Sequence, residues 1–450
     1  MTTEAKTSQP PEDAEAAYER FVWDNLPRNF AGHYLHGMLG MTGFRLFNAP
    51  TFLPAYLHLL SGSDFIVGLG QSLQQVGAVV SPVFAATQIE HRKRVLPVAT
   101  LMGTLMRLQI LGIALSGFFL HGPVLLYAVL VFLFLLGLSS GPQQVAFQAL
   151  LAKVIPISRR GRLQALRNIT GGAIAAGLAW FAGRYLIQLN VFGNGYGVTF
   201  LLAFVLTSLG LTALRLLMRE PEPPAVRAKA RFVDRVAEFP ELFRQDRNFA
   251  FFMIAQSLAT MGRVAAPFYI LFAGRSMALS GGNLGLLSLA FLGADTVTNL
   301  GWGLMGDRFG FRSSFLLSLG VWIAGTILLM VSPALALHAG PGGIGVRGLI
   351  LMAFFALGAA QSGFMMSSQT MVLEFGARED IPMRLALTAT AQGAVNTAGP
   401  LVGGLVATTL GYQPLFVLSL IALTLAFMVL LTQVREPRLR RGLIEEPVAP

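Results

Sequence analysis

From about residue 30 onward, the chain reads as long apolar stretches broken by short polar or glycine-rich gaps. The stretches run for about 20 to 28 residues, with no strict alternation of polar and apolar positions. At 1.5 Å per residue each is long enough to cross about 30 Å of hydrocarbon as a helix. The pattern predicts spans near 30–58, 65–88, 95–120, 123–152, 162–188, 197–218, 249–274, 282–305, 313–334, 348–374, 384–410 and 412–433. That makes twelve helices and an all-α polytopic membrane protein. A membrane barrel is excluded because its strands alternate apolar and polar positions over about ten residues.

Composition supports this pattern. Of the 450 residues, 54% are hydrophobic and only 12% charged, about half the charged share of a soluble domain. Cysteine is absent, which removes disulfides, thiol catalysis and cysteine metal sites; no other metal or cofactor motif occurs. No glycine-rich phosphate loop ending in Lys and Ser or Thr is present, so an ATP-driven pump within the chain is not expected.

The net charge of +11 is distributed asymmetrically. Arg92, Lys93, Arg94, Lys153, Arg159, Arg160, Arg162, Arg308, Arg312, Arg378 and Arg384 fall in or beside even-numbered connections. Only Arg184, Arg275 and Arg347 fall in odd-numbered ones. The positive-inside rule then predicts that both termini are cytoplasmic and that the protein lies in the cell (inner) membrane. With the charge accounted for by topology, and with no stacking aromatics or RNA-binding motif, nucleic acid is not an expected partner.

One long polar connection divides the chain. The expected organisation is a tail over 1–29, a six-helix bundle over 30–218, a linker over 219–248, a second bundle over 249–433 and a tail over 434–450. The linker opens with Pro221, Pro223 and Pro224. Beyond them Phe232, Val236, Phe239 and Phe243 recur at helical spacing among charges, predicting an amphipathic helix at the membrane surface.

The two halves repeat. GFRLFNAP carries Arg45 before Pro50, and MGRVAAP carries Arg263 before Pro267; 263 minus 45 is 218. ATQIEHRKRVL aligns with MGDRFGFRSSFL, pairing Gln88 with Asp307 at 219. RGRLQALRNITGG aligns with PMRLALTATAQGA, pairing Arg162 with Arg384 and Gly171 with Gly393 at 222. A nearly constant offset across three landmarks is the signature of an internal repeat.

On these residues the chain resembles the major facilitator superfamily (MFS) from about 30 to 433. GLMGDRFGFR, with Gly303, Asp307, Arg308, Gly310 and Arg312, looks like that family's loop signature. The first-half copy departs from it at Gln88 and His91. The resemblance implies two pseudo-symmetric six-helix bundles that rock about a central site, with the loop signature as a conformational lock, in a protein that is not an enzyme.

Charges at membrane depth are functional candidates because burying them in hydrocarbon is costly. Arg45 lies about 15 residues into the first span and Arg263 about 14 into the seventh, or some 21 to 22 Å. In the resembled family these helices line the cavity, so the two guanidinium groups are expected to face each other and favour a small or amphipathic organic anion through forked, charge-assisted bonds. The alternative is that each arginine pairs internally. Asp295 is the only carboxylate deep in the membrane, a candidate proton carrier or a salt-bridge partner of Arg263 or Arg107. Arg107, Gln75 and Gln361 are further candidates for substrate contact or for bonds between helices. Arg167, Arg184 and Glu374 are expected near solvated helix ends, and His33, His36 and His58 at the interface.

The expected function is secondary active transport of an anion as a monomer in the lipid bilayer, with protons as coupling ion. Proton-coupled multidrug efflux is the alternative within transport; an assembly or lipid-handling protein that moves no solute is the alternative outside it.

Overall fold

A computed structural model describes residues 12–89, 93–222, 246–340, 343–375 and 381–437. The described residues contain no strand and form twelve helical spans in two halves. In the first half, a short helix α1 (Glu12–Asp24) precedes the first span, α2 (Leu26–Phe47) with α3 (Phe52–Ser61). The other spans are α4 (Asp64–Ile89), α5 (Leu96–Phe119), α6 (Gly122–Val154), α7 (Ile157–Phe181) and α8 (Gly195–Leu217). In the second half, α9 (Arg247–Gly262) and α10 (Ala266–Ala273) make the seventh span. They are followed by α11 (Gly281–Phe309), α12 (Phe311–Ala339), α13 (Ile344–Glu374), α14 (Ile381–Thr409) and α15 (Tyr412–Thr432). The amphipathic helix expected at Phe232 to Phe243 lies outside the described residues, as do His91 and the side chain of Gln88.

The first span begins at Leu26, earlier than its apolar pattern indicates. Pro27 suits the first helical turn, where no amide donor is needed. Arg28 is accommodated there because its Nε and Nη2 donate to the Leu217 and Leu216 carbonyls, at 2.9 and 3.0 Å, at the end of α8. The polar tail also contains structure: Tyr18 of α1 donates to the Lys153 carbonyl at 3.1 Å.

Both repeat-related spans break at the same place. α2 stops at Phe47 just before Pro50, and α9 passes into a 3-10 turn at Arg263–Ala265 just before Pro267. Proline removes a helical donor and crowds the preceding turn. Arg45 and Arg263 thus sit at the two breaks.

Eight helices among the described residues are long and apolar enough to cross a membrane unaided. The spans outside that set are α2/α3, α4, α7 and α14, whose faces meet the other half of the molecule. α4 packs on α14 and α7 on α11 through close backbone approaches. A methyl group at Gly68 would collide with the Pro400 carbonyl, and one at Gly183, in the π-helical turn Ala182–Ile187 that continues α7, with Gly285 and Gly281. These contacts lie toward the side opposite α1 and the end of α15, here called the far side. There Thr51 also hydrogen-bonds Ser288, Gln188 accepts from the Gly282 amide at 3.0 Å, and Tyr412 donates to Asp64 at 2.8 Å. The tail side is the face that carries α1 and the end of α15.

Each half is also tied to itself on the tail side. Asn29 in the first span accepts from the Arg219 amide at 2.7 Å and donates to the Arg219 carbonyl at 3.0 Å. Asn248 in the seventh span makes the same pair of bonds with Arg435, at 2.7 and 3.0 Å. The next residue in each case is a glutamate that caps the third helix of its half. Glu220 accepts from the Val95 and Leu96 amides at 2.6 and 2.8 Å, and Glu436 from the Arg312 amide at 3.2 Å. A carboxylate suits the positive end of a helix.

Candidate functional site

Between the far-side contacts and the tail side lies a chamber of about 590 Å³, walled by both halves. Arg45 and Asn48 reach it from the first span, Gln164 and Asn168 from α7, Asp295 and Asn299 from α11, and Gln361, Ser362, Gln369 and Thr370 from α13. Gln164 and Gln369, nearest the tail-side ends, are exposed, so the chamber widens toward that side. Gln164 and Asn168, and likewise Asp295 and Asn299, are four residues apart and share a helix face.

At its centre the Arg45 Nη1 lies 3.1 Å from Asp295 Oδ2 and donates to Thr296 Oγ1, also at 3.1 Å. This ion pair joins the two halves. The side chains remain 23% and 16% exposed, so both stay within reach of chamber water or solute. Asp295 therefore pairs with Arg45, rather than with either of the arginines named for it from sequence, Arg263 and Arg107.

Arg263 is one layer further back. Its Nη2 donates to Gln361 Oε1 at 2.9 Å, and its Cζ lies 4.1 Å above the Phe364 ring and 5.3 Å from that of Trp322. Cation–π stacking and one amide hold the guanidinium there. The expected face-to-face pair of arginines is thus replaced by Arg45 at the chamber surface and Arg263 behind Gln361.

Arg107 is 2% exposed and donates from Nε to the Thr207 carbonyl at 2.7 Å and from Nη1 to the Gly103 carbonyl at 2.6 Å. It braces α5 against α8 inside the first half. Gln75 is not among the chamber's lining residues, whereas its neighbour Gln74 donates to Asn48 Oδ1 at 3.1 Å. Arg167, His33 and His36 are buried inside the first half rather than solvated or interfacial, because Phe147 packs against all three. His58 does stand near the far side, 3.1 Å from Asp64.

The loop signature forms the tail-side turn between α11 and α12. Gly310 has φ +84°, a backbone region favoured by glycine, and a side chain there would strike the Glu436 carboxylate. Arg312 donates to the Leu430 and Leu431 carbonyls at 3.1 and 2.7 Å, binding the turn to the end of α15. Arg308 stacks on Phe309 at 5.3 Å, Asp307 is exposed in the last turn of α11, and Gly303 lies one turn earlier beside Met366.

Sequence reasoning missed Asn48, Gln164 and Asn168 as chamber groups and Thr296 as a partner of Arg45, although Asn48 stands in the same GFRLFNAP segment as Arg45. It also missed the tail-side ties, whose signal is plain in the repeat. Arg-Asn-Phe-Ala recurs from Arg28 and Arg247, and Arg-Glu-Pro from Arg219 and Arg435, offsets of 219 and 216.

Twelve helical spans in two related halves, enclosing a polar chamber at membrane depth, define a membrane transporter. The sequence profile of the Major Facilitator Superfamily matches residues 35–271 and 252–449. The chain belongs to that superfamily and is a multi-pass transporter, not an enzyme. No curated protein sequence matches it.

Among solved structures, a mutant of nucleoside transporter NupG is similar with a TM-score of 0.70 at 14% identity, covering 90% of this chain and 100% of that one. D-xylose-proton symporter gives 0.64 at 15%, covering 93% and 99%. A bacterial homologue of iron transporter ferroportin in its inward-facing state gives 0.64 at 15%, covering 90% and 98%. At these identities the likeness is one of fold.

Proposed function

We propose that the protein is a secondary active transporter that works by alternating access and carries a small polar or amphipathic solute with an acidic group, coupled to protons. The observation that carries this reading is the Arg45–Asp295 pair at 3.1 Å within the chamber. Arg45 has one carboxylate to bind, and a substrate carboxylate or phosphate competes for the same guanidinium fork. Protonation of Asp295 releases Arg45 to the substrate; loss of the proton restores the pair and expels the substrate. Asp295 is then the proton carrier, and the amides of Asn48, Asn168, Asn299 and Gln361 read the solute's uncharged polar groups. Arg263 orients Gln361 from behind. One structural neighbour is a proton symporter, and here Asp295 supplies a carboxylate suited to that role.

Both termini are assigned to the cytoplasm of a cell (inner) membrane, because lysine and arginine concentrate on the tail side. The far-side contacts then correspond to an inward-facing state. The loop signature, Gly303 through Arg312, serves as the tail-side turn that steadies the second half.

The test is a thermal-shift screen of the purified protein against metabolites sorted by charge, repeated with Arg45→Gln. Acidic solutes are expected to stabilise the parent protein and to lose at least most of that effect in the variant. Stabilisation by cationic or neutral lipophilic compounds alone would point instead to multidrug efflux.

A further inference from the structure

A second polar cluster lies inside the first half, next to the chamber wall and separate from Arg45. His33 and His36 of α2 and Arg167 of α7 surround the ring of Phe147 in α6. The histidine ring centroids lie 5.1 and 5.0 Å from it and the Arg167 Cζ 5.0 Å. His33 is 0%, His36 5% and Arg167 7% exposed. Both ring nitrogens of His33, the Nδ1 of His36 and the Nε of Arg167 have no hydrogen-bond partner among the described residues.

Buried polar atoms are nearly always bonded, so three unpartnered imidazole nitrogens beside one ring, next to a guanidinium whose Nε is pressed against Gly37, call for an occupant. The chemistry of these groups narrows its class. Arg167 is a permanent cation with donors only, and an imidazole always offers at least one N–H donor or, when charged, two. Among the described residues no carboxylate forms an ion pair with Arg167. The cluster is thus rich in donors and positive charge and poor in anionic partners. Its walls are packed helices: Arg167 lies so close against α2 that a methyl group at Gly37 would collide first with its Nε, then with its Cδ and Cγ. That confinement selects a small ion. A path from the chamber also exists, since Arg167 Nη1 donates at 3.2 Å to Gln164, which is exposed in the chamber.

We propose that the first half binds one small inorganic monovalent anion, of halide size, among His33, His36 and Arg167, reached from the chamber past Gln164. The site is distinct from the solute position at Arg45 and stands whether or not the transported solute is acidic.

The test is thermal unfolding of the detergent-purified full chain in sodium chloride or bromide against sodium gluconate at constant ionic strength. A saturable rise in Tm is expected with either halide and not with gluconate. Arg167→Gln and His33→Leu should each raise the half-effect concentration by about tenfold, the size of one charge-assisted hydrogen bond. The halide response should survive Arg45→Gln. Should Arg167→Gln not fold, His33→Leu and an anomalous bromide peak beside Arg167 carry the test. Equal Tm in halide and gluconate overturns the proposal. So does a response kept in every folded variant of the cluster, or one lost only in Arg45→Gln, which would put the ion in the chamber.

Discussion

Arg45 of the first span and Asp295 of the eighth belong to opposite halves and meet at 3.1 Å inside the chamber. Because the pair is partly exposed, neutralising either partner should cost only about 1 kcal/mol of stability. Uptake driven by a proton gradient should fail in both Arg45→Gln and Asp295→Asn. Melting curves together with uptake in proteoliposomes separate the two effects; near-parental uptake by Arg45→Gln would remove the arginine from the substrate path.

Asp295→Asn mimics the protonated carboxyl and leaves Arg45 free at every pH. Substrate binding and solute exchange should persist in this variant while dependence on the proton gradient disappears. Counterflow measured with and without a pH gradient distinguishes the steps, and an unchanged pH profile would exclude Asp295 as carrier.

Gly183, in the π-helical turn Ala182–Ile187 that continues α7, meets Gly285 of α11 in backbone contact on the far side. Gly183→Val should prevent that approach and favour a far-side-open state. The chain has no cysteine, so Asn48→Cys introduces a single thiol in the chamber without further changes. Its labelling by an impermeant maleimide from the far side should rise when Gly183→Val is added; no increase would mean that the contact does not gate access.

Glu220 and Glu436 cap the third helix of each half. Glu220→Ala and Glu436→Ala should each lower stability by about 1 to 3 kcal/mol, as expected when buried or partly buried donors lose a charged acceptor. The caps share no partner, so their effects should add. Denaturation of the single and double variants is the measurement.

Arg107→Met removes the donor to the Thr207 and Gly103 carbonyls. A lower Tm with unaltered substrate affinity in the folded fraction is expected. A selective loss of affinity would return Arg107 to the binding site.

Most of the architecture was legible because hydrocarbon imposes a length and a composition on every span. The repeat was legible because Arg45 and Arg263, each preceding a proline, kept their spacing. What could not be read was which neighbour each charge would choose. Asp295 met Arg45 across the interface because α11 packs against the other half, a tertiary fact without a local signal. Arg263 turned onto Phe364 and Trp322, and those aromatics look like ordinary apolar residues in a span. Arg167 was expected near solvent from its place close to a helix end, yet Gly37 lets its stem lie against α2 and Phe147 covers its head. Polar residues at the start of α2 hid one further helical turn, since their partners are carbonyls almost two hundred positions away.

The matched asparagine clasps, Asn29 on Arg219 and Asn248 on Arg435, fasten the opening helix of each half to the end of its closing one. Each half is therefore a closed ring of helices whose seam is internal. A protein built this way need not be one polypeptide: severed between 222 and 246 and co-expressed as two fragments, it should reassemble into a working carrier.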